Sequence, residues 1–140
     1  MDAGLLREAL FALQATADFM TEAHLPGCTP KATRYVLSRP NKSTNSSPVA
    51  IWIARPFDLP DGRQLTMAVR TDVETAHVSL SGVVELTSLS ESTTAIDLWT
   101  SATREIGSPG ELLPALISMA SAIAAEAAAL LRAGLPVDLR

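Results

Sequence analysis

His24 and Cys28 stand four residues apart around Pro26-Gly27, and a thiol beside an imidazole is the smallest pair that can generate a thiolate nucleophile. A buried thiol near a histidine at a helix end satisfies the same spacing, and no nucleophile signature surrounds this cysteine. Asp72, Glu74 and His77 place two carboxylates and an imidazole within six residues, a ligand set that suits several divalent ions. They fall where two strands meet, with no second cluster at fixed spacing, and read as a solvated charged turn. Hydroxyls recur at Ser46-Ser47, Ser79-x-Ser81 and Ser88-x-Ser90, but without a Gly-x-Ser-x-Gly elbow to expose one as a nucleophile. There is neither a phosphate loop ending in Gly-Lys-Ser/Thr nor a Gly-x-Gly-x-x-Gly turn. The sequence therefore assigns no catalytic residue, no metal and no cofactor.

Composition narrows the class further. The 140 residues suit one domain, residues 1–140, and 47% hydrophobic against 19% charged residues predicts a packed core. A formal net charge of −4 argues against phosphate backbones and anionic membranes as partners. One cysteine excludes an internal disulfide and fits a reducing, cytoplasmic setting. Met1-Asp2-Ala3-Gly4 puts no positive charge ahead of the apolar run from Leu5, so it does not read as a secretory signal. Leu112 to Leu131 is interrupted by Pro114, Ser118, Ser121 and Glu126 and reads as a buried or dimer-forming helix rather than a bilayer span. Basic residues Lys31, Arg34, Arg39, Lys42 and Arg55 concentrate in the first half. Six Lys/Arg stand against five Asp/Glu up to Pro60, and five against ten beyond it. That asymmetry suits either an acidic partner or an edge strand guarded by charge.

The elements that must position these residues follow from periodicity. Leu5, Leu6, Ala9, Leu10, Leu13, Ala17 and Met20 recur at three- and four-residue spacings, predicting an amphipathic helix over 3–23 that stops before Pro26-Gly27. The period then falls to two. Strands are predicted over 33–39, 49–54, 64–70, 77–87 and 94–101, with a polar excursion at 40–48 and a tight turn at Leu59-Pro60-Asp61-Gly62. Gly82 marks a bulge or a close approach of another backbone. Ser108-Pro109-Gly110-Glu111 opens a closing helix, with Pro114 as its awkward residue and Gly134 and Pro136 as its stop.

The predicted fold is α+β: an antiparallel sheet of about five strands, with an N-terminal and a C-terminal helix on one face. Val49, Ile51, Ile53, Leu65, Met67, Val69, Val78, Leu80, Ile96 and Leu98 then face the helices. Trp52, Arg70, His77, Val83, Glu85, Asp97 and Trp99 face away. Two tryptophans on a polar sheet face suit a recognition surface, so Trp52, Arg70, His77, Glu85 and Trp99 are the expected protein-binding residues. The expected function is a non-catalytic protein-binding module, partnered by another protein or by itself as a homodimer. Small size, acidic charge and the helix–sheet–helix order resemble bacterial secretion chaperones in outline, and an immunity-like factor fits the same description. The alternative is a small enzyme or ligand-binding domain with a cavity between sheet and helices.

Overall fold

A computed structural model describes residues 3–38, 49–73, 78–88 and 95–136 of the chain. The predicted excursion at 40–48 and the residues Glu74 and His77 lie outside the described residues. Helix α1 spans Ala3–Thr21, followed by strands β1 (Thr29–Pro30), β2 (Arg34–Ser38), β3 (Val49–Asp58), β4 (Gln64–Val73), β5 (Val78–Thr87), β6 (Ala95–Thr100) and β7 (Arg104–Ile106). Helix α2, Leu112–Ala133, closes the chain after one 3₁₀ turn at Pro109–Glu111. All strand pairs are antiparallel. The architecture is α+β, as the alternation predicts.

Among the described residues seven strands make a sheet five strands wide, because each edge is one strand broken in two. β1 and β2 lie end to end along β3, and β6 and β7 along β5. The first break has a chemical cause. Pro56 pairs with Thr66 of β4 but has no N–H to offer the other side, and the edge strand is interrupted beside it, between Pro30 and Arg34. Lys31 still donates its N–H to the Pro56 carbonyl at 2.8 Å. The predicted end of this strand at Ala54 was therefore too early: proline sits inside β3 at the one place where its neighbour gives way.

The turn at 59–62 forms as predicted. Leu59 donates to the Arg63 carbonyl at 2.9 Å, Gly62 donates back to Leu59 at 3.1 Å, and Gly62 takes the φ of 90° that a side chain resists. Pro114 is resolved equally simply. The α-helix starts at Leu112, so the proline occupies its first turn, where the missing N–H has no partner to lose. Glu111 reaches back to accept from the Gly107 N–H at 2.9 Å. At the other end the Gly134 N–H closes on the Leu130 carbonyl.

Ala12, Leu13, Ala17 and Met20 of α1 and Leu116, Ala120, Ile123 and Ala127 of α2 pack over Ile53, Phe57, Leu65, Met67, Val69, Leu80, Val84 and Leu86. By length and composition α2, with mean hydropathy 1.7, is able to cross a bilayer. Here its apolar seam instead roofs the sheet. Gly82 explains how close that roof comes: a Cβ at this position would lie 2.6 Å from Ile123 Cδ1 and 3.0 Å from Met119 Sδ. Neither reading offered for Gly82 is met as stated: the register shift lies at Val84/Glu85, and what comes close is the side chains of Ile123 and Met119, not a backbone. Gly82→Ala should therefore destabilise by about 1–3 kcal/mol through overpacking. Ile123→Val, which removes the offending methyl, should recover part of that loss in the double variant. Chemical denaturation of the four-member cycle checks this, and additivity of the two changes would show that they do not meet.

A trough across the outer sheet face

The face turned away from the helices is organised in rows across the strands. Register puts Arg34, Ala54, Ala68 and Val83 in one row, with Val36, Trp52, Arg70 and Ser81 in the row beside it. On the other side run Pro56, Thr66, Glu85 and Asp97. The middle row is small and its neighbours are bulky, so the face is hollowed into a trough of about 540 Å³. Ala54, Ala68 and Val83 form its floor as a separate apolar cluster against which Trp52 packs. Arg34 and Val36 of β2 border one end, and Glu85, Thr87 and Ala95 the other. The trough is thus cationic toward β2 and anionic toward β5 and β6.

The Trp52 indole is half-buried and held from above. The Arg70 guanidinium lies over its ring, 5.2 Å from the centroid. Arg70 is itself fixed by Asp72: its Nε donates to both carboxylate oxygens at 2.9 Å. Trp52 is consequently a pre-oriented aromatic wall, not a loose surface ring. Asp72, considered above as a metal ligand, is committed to Arg70, and among the described residues no three His, Cys, Asp or Glu side chains gather as a cation site.

Of the expected surface residues, Trp52, Arg70 and Glu85 do share this face, and His77 lies outside the described residues. Trp99 does not share it. The β5–β6 register shifts between Val84 and Glu85, so Asp97 pairs with Glu85 but Trp99 pairs with Val84. Leu98 is the extra residue, and both Leu98 and Trp99 pack against the helix-side core. A bulge places consecutive side chains on one side, which strict alternation forbids. Trp99 is a core-edge residue.

The other candidates resolve as structure. Cys28 Sγ sits 3.8 Å from the Pro26 carbonyl, and burial pushes its thiol pKa up, the wrong direction for a nucleophile. Lys31 pairs with Asp58 at 3.1 Å. Arg55 is not on the surface at all: it is buried on the helix side, over the Phe57 ring, and donates to the Lys31 and Thr21 carbonyls. Arg39 and Lys42 lie outside the described residues. Sequence reasoning missed Ala54 and Ala68, whose smallness makes the trough, as well as Arg34, Val36 and Thr66 in its walls. The signal was present as outward alanines flanking Trp52, but it needs cross-strand register to become a shape.

Fold and face together define an α+β domain with helices on one side of an antiparallel sheet and an open, aromatic-walled trough on the other. No family model matches the chain, and neither a curated protein nor a solved structure matches it.

Proposed function

We propose that this chain is a non-catalytic protein-binding module that takes a partner polypeptide on the outer face of its sheet. The trough is the observation that carries the reading. It has an apolar floor, an indole fixed by a guanidinium, and opposite charges at its two ends. Pre-oriented aromatic and arginine anchors around an apolar centre are what dominate protein interfaces. The trough is also open along its course from β2 to β6, which suits an extended or helical segment better than a small molecule that must be enclosed. A chaperone-like or immunity-like role, one small acidic domain shielding one partner chain, is the form of this function that size and charge favour. The alternative cavity between sheet and helices has little support, because that space is filled by the fully buried Leu65, Val69, Leu80, Leu116 and Ile123.

Trp52→Ala tests the reading. The variant should keep the far-UV spectrum and melting temperature of the parent, since Trp52 lies outside the main core. Binding of a partner captured from the native lysate and then purified should weaken about 30-fold, the equivalent of ~2 kcal/mol for one aromatic anchor. Trp99→Ala is the control and should lower stability while leaving affinity intact. Unchanged affinity in Trp52→Ala would defeat the reading. A small molecule that co-purifies with the parent and is lost from Trp52→Ala would reassign the trough to a ligand.

A further inference from the structure

The floor of the trough is uncharged, but its two ends are not. Arg34 is exposed at the β2 end. At the other end Glu85 faces Asp97 directly across the β5–β6 ladder, two carboxylates on neighbouring strands of one face. Among the described residues the ion pairs are Lys31–Asp58, Arg63–Asp61 and Arg70–Asp72, and none of them involves Arg34, Glu85 or Asp97. Glu85 accepts a long bond from Thr87 Oγ1, at 3.5 Å. Like charges set opposite each other destabilise a sheet, and a cation brought against both removes that cost.

We propose that the trough receives an amphipathic helix of the partner, with an acidic residue over Arg34 and a lysine or arginine over Glu85 and Asp97. This names the chemistry of the partner and rests on the binding reading above. The direction of the trough favours a helix. It runs across the strands, not along an edge, so an occupant cannot pair its backbone with the sheet. An extended segment over Ala54, Ala68 and Val83 would leave its N–H and C=O groups against an apolar floor, whereas a helix satisfies its own.

The dimensions agree. Trp52 and Pro56 are four residues apart along β3, as are Thr66 and Arg70 along β4, which separates the two flanking rows by roughly 13 Å. A helix with its side chains is about 10–12 Å across. Arg34 and Glu85 lie three strands and one row apart, about 16 Å between Cα atoms. Eleven residues of helix rise about 16.5 Å and return to nearly the same face. The acid therefore precedes the base by about eleven positions, with apolar residues at three- and four-residue spacings between them to meet the floor and Trp52. The acid comes first because a carboxylate near the N-terminus and a cation near the C-terminus suit the dipole of the helix. The N-terminus then lies over β2 and the C-terminus over β6.

Selection on the purified chain from a phage-displayed library of helical peptides, about five turns long and varied along one face, tests this. Peptides whose binding is lost on Trp52→Ala should carry Asp or Glu about eleven positions before Lys or Arg. The triple variant Arg34→Glu, Glu85→Lys, Asp97→Lys should bind such a peptide about tenfold more weakly, and exchanging the acid and base of the peptide should restore the affinity. Glu85→Gln removes one of the two facing carboxylates. It should weaken the parent peptide about threefold while melting no lower than the parent chain, and it carries the test if the triple variant does not fold. Trp52-dependent peptides lacking this charge order, or carrying proline through their middle and so binding extended, would overturn the helix and leave the binding module standing. Equal affinity in the charge-exchanged variant would do the same. A selection that returns no Trp52-dependent peptide overturns the inference as well; the binding reading is decided separately, by the natural partner's dependence on Trp52.

Discussion

Ile123→Asp should leave no folded protein to measure. Ile123 is 0% exposed and stands at the centre of the α2 seam, against Gly82 of β5. Removing its side chain alone costs about 2–5 kcal/mol as lost burial and cavity. A carboxylate placed there without a partner adds a desolvation penalty of several kcal/mol. Together these approach the ~5–15 kcal/mol that holds an ordinary domain together. Leu116→Asp, also at 0% exposure, should behave the same way. The sequence left open whether this seam is core or dimer contact. Since both residues are buried within one subunit, the expected result is loss of cooperative unfolding and of near-UV signal, not a soluble monomer. A well-folded monomer carrying either aspartate would remove α2 from the core.

Arg55→Ala should be the most damaging change at a charged position, lowering stability by about 3 kcal/mol. Arg55 is 8% exposed, and among the described residues no carboxylate pairs with it; its two terminal nitrogens are met by the carbonyls of Thr21 and Lys31, its planar face by Phe57, and its Nε is buried without a hydrogen-bond partner. Thr21 is the last residue of α1, so a cation there also faces the negative end of the helix. Hydrogen bonds to a charged group contribute ~1.5–3 kcal/mol each, against which stands the cost of keeping the ion out of water. The net is favourable because the clamp joins three separate segments: the end of α1, the 31–33 connection and β3. Arg55→Met keeps the aliphatic stem over Phe57 and should cost about half as much. Thermal melts of the two variants decide the matter. A loss under about 1 kcal/mol for Arg55→Ala would mean that α1 is held by its apolar face alone.

The contrast between these two sites shows what was legible beforehand. Ile123 and its seam could be read from spacing, because a helix repeats its core contacts every three to four residues. The inward positions of β3, β4 and β5 were equally plain, since alternation over long unbroken strands admits one phase. Arg55 was not, because the same alternation places it inward, yet its charge argues outward. Only the nearby end of α1 makes burial tolerable. Trp99 failed for a different reason: a one-residue bulge reverses the phase of everything after it and leaves no mark in the composition. The trough was half visible. Trp52, Arg70 and Glu85 were placed on the right face from phase alone, whereas the alanine floor depends on which residues lie beside each other across strands.

The order in which the strands are stitched has a kinetic consequence. Each of β2, β3, β4, β5 and β6 pairs with its neighbour in sequence, so closure of every hairpin is short-range and carries little entropic cost. The packing of α1 along α2 joins segments about a hundred residues apart, and α2 on β4 and α1 on β3 are further contacts of high sequence separation on which the roof depends. A chain built this way has low contact order in its sheet and its longest-range closures in its roof. Until the helices meet, Leu65, Val69 and Leu80 are paired but uncovered, and that interval is when the chain is most exposed to sticking to its own copies.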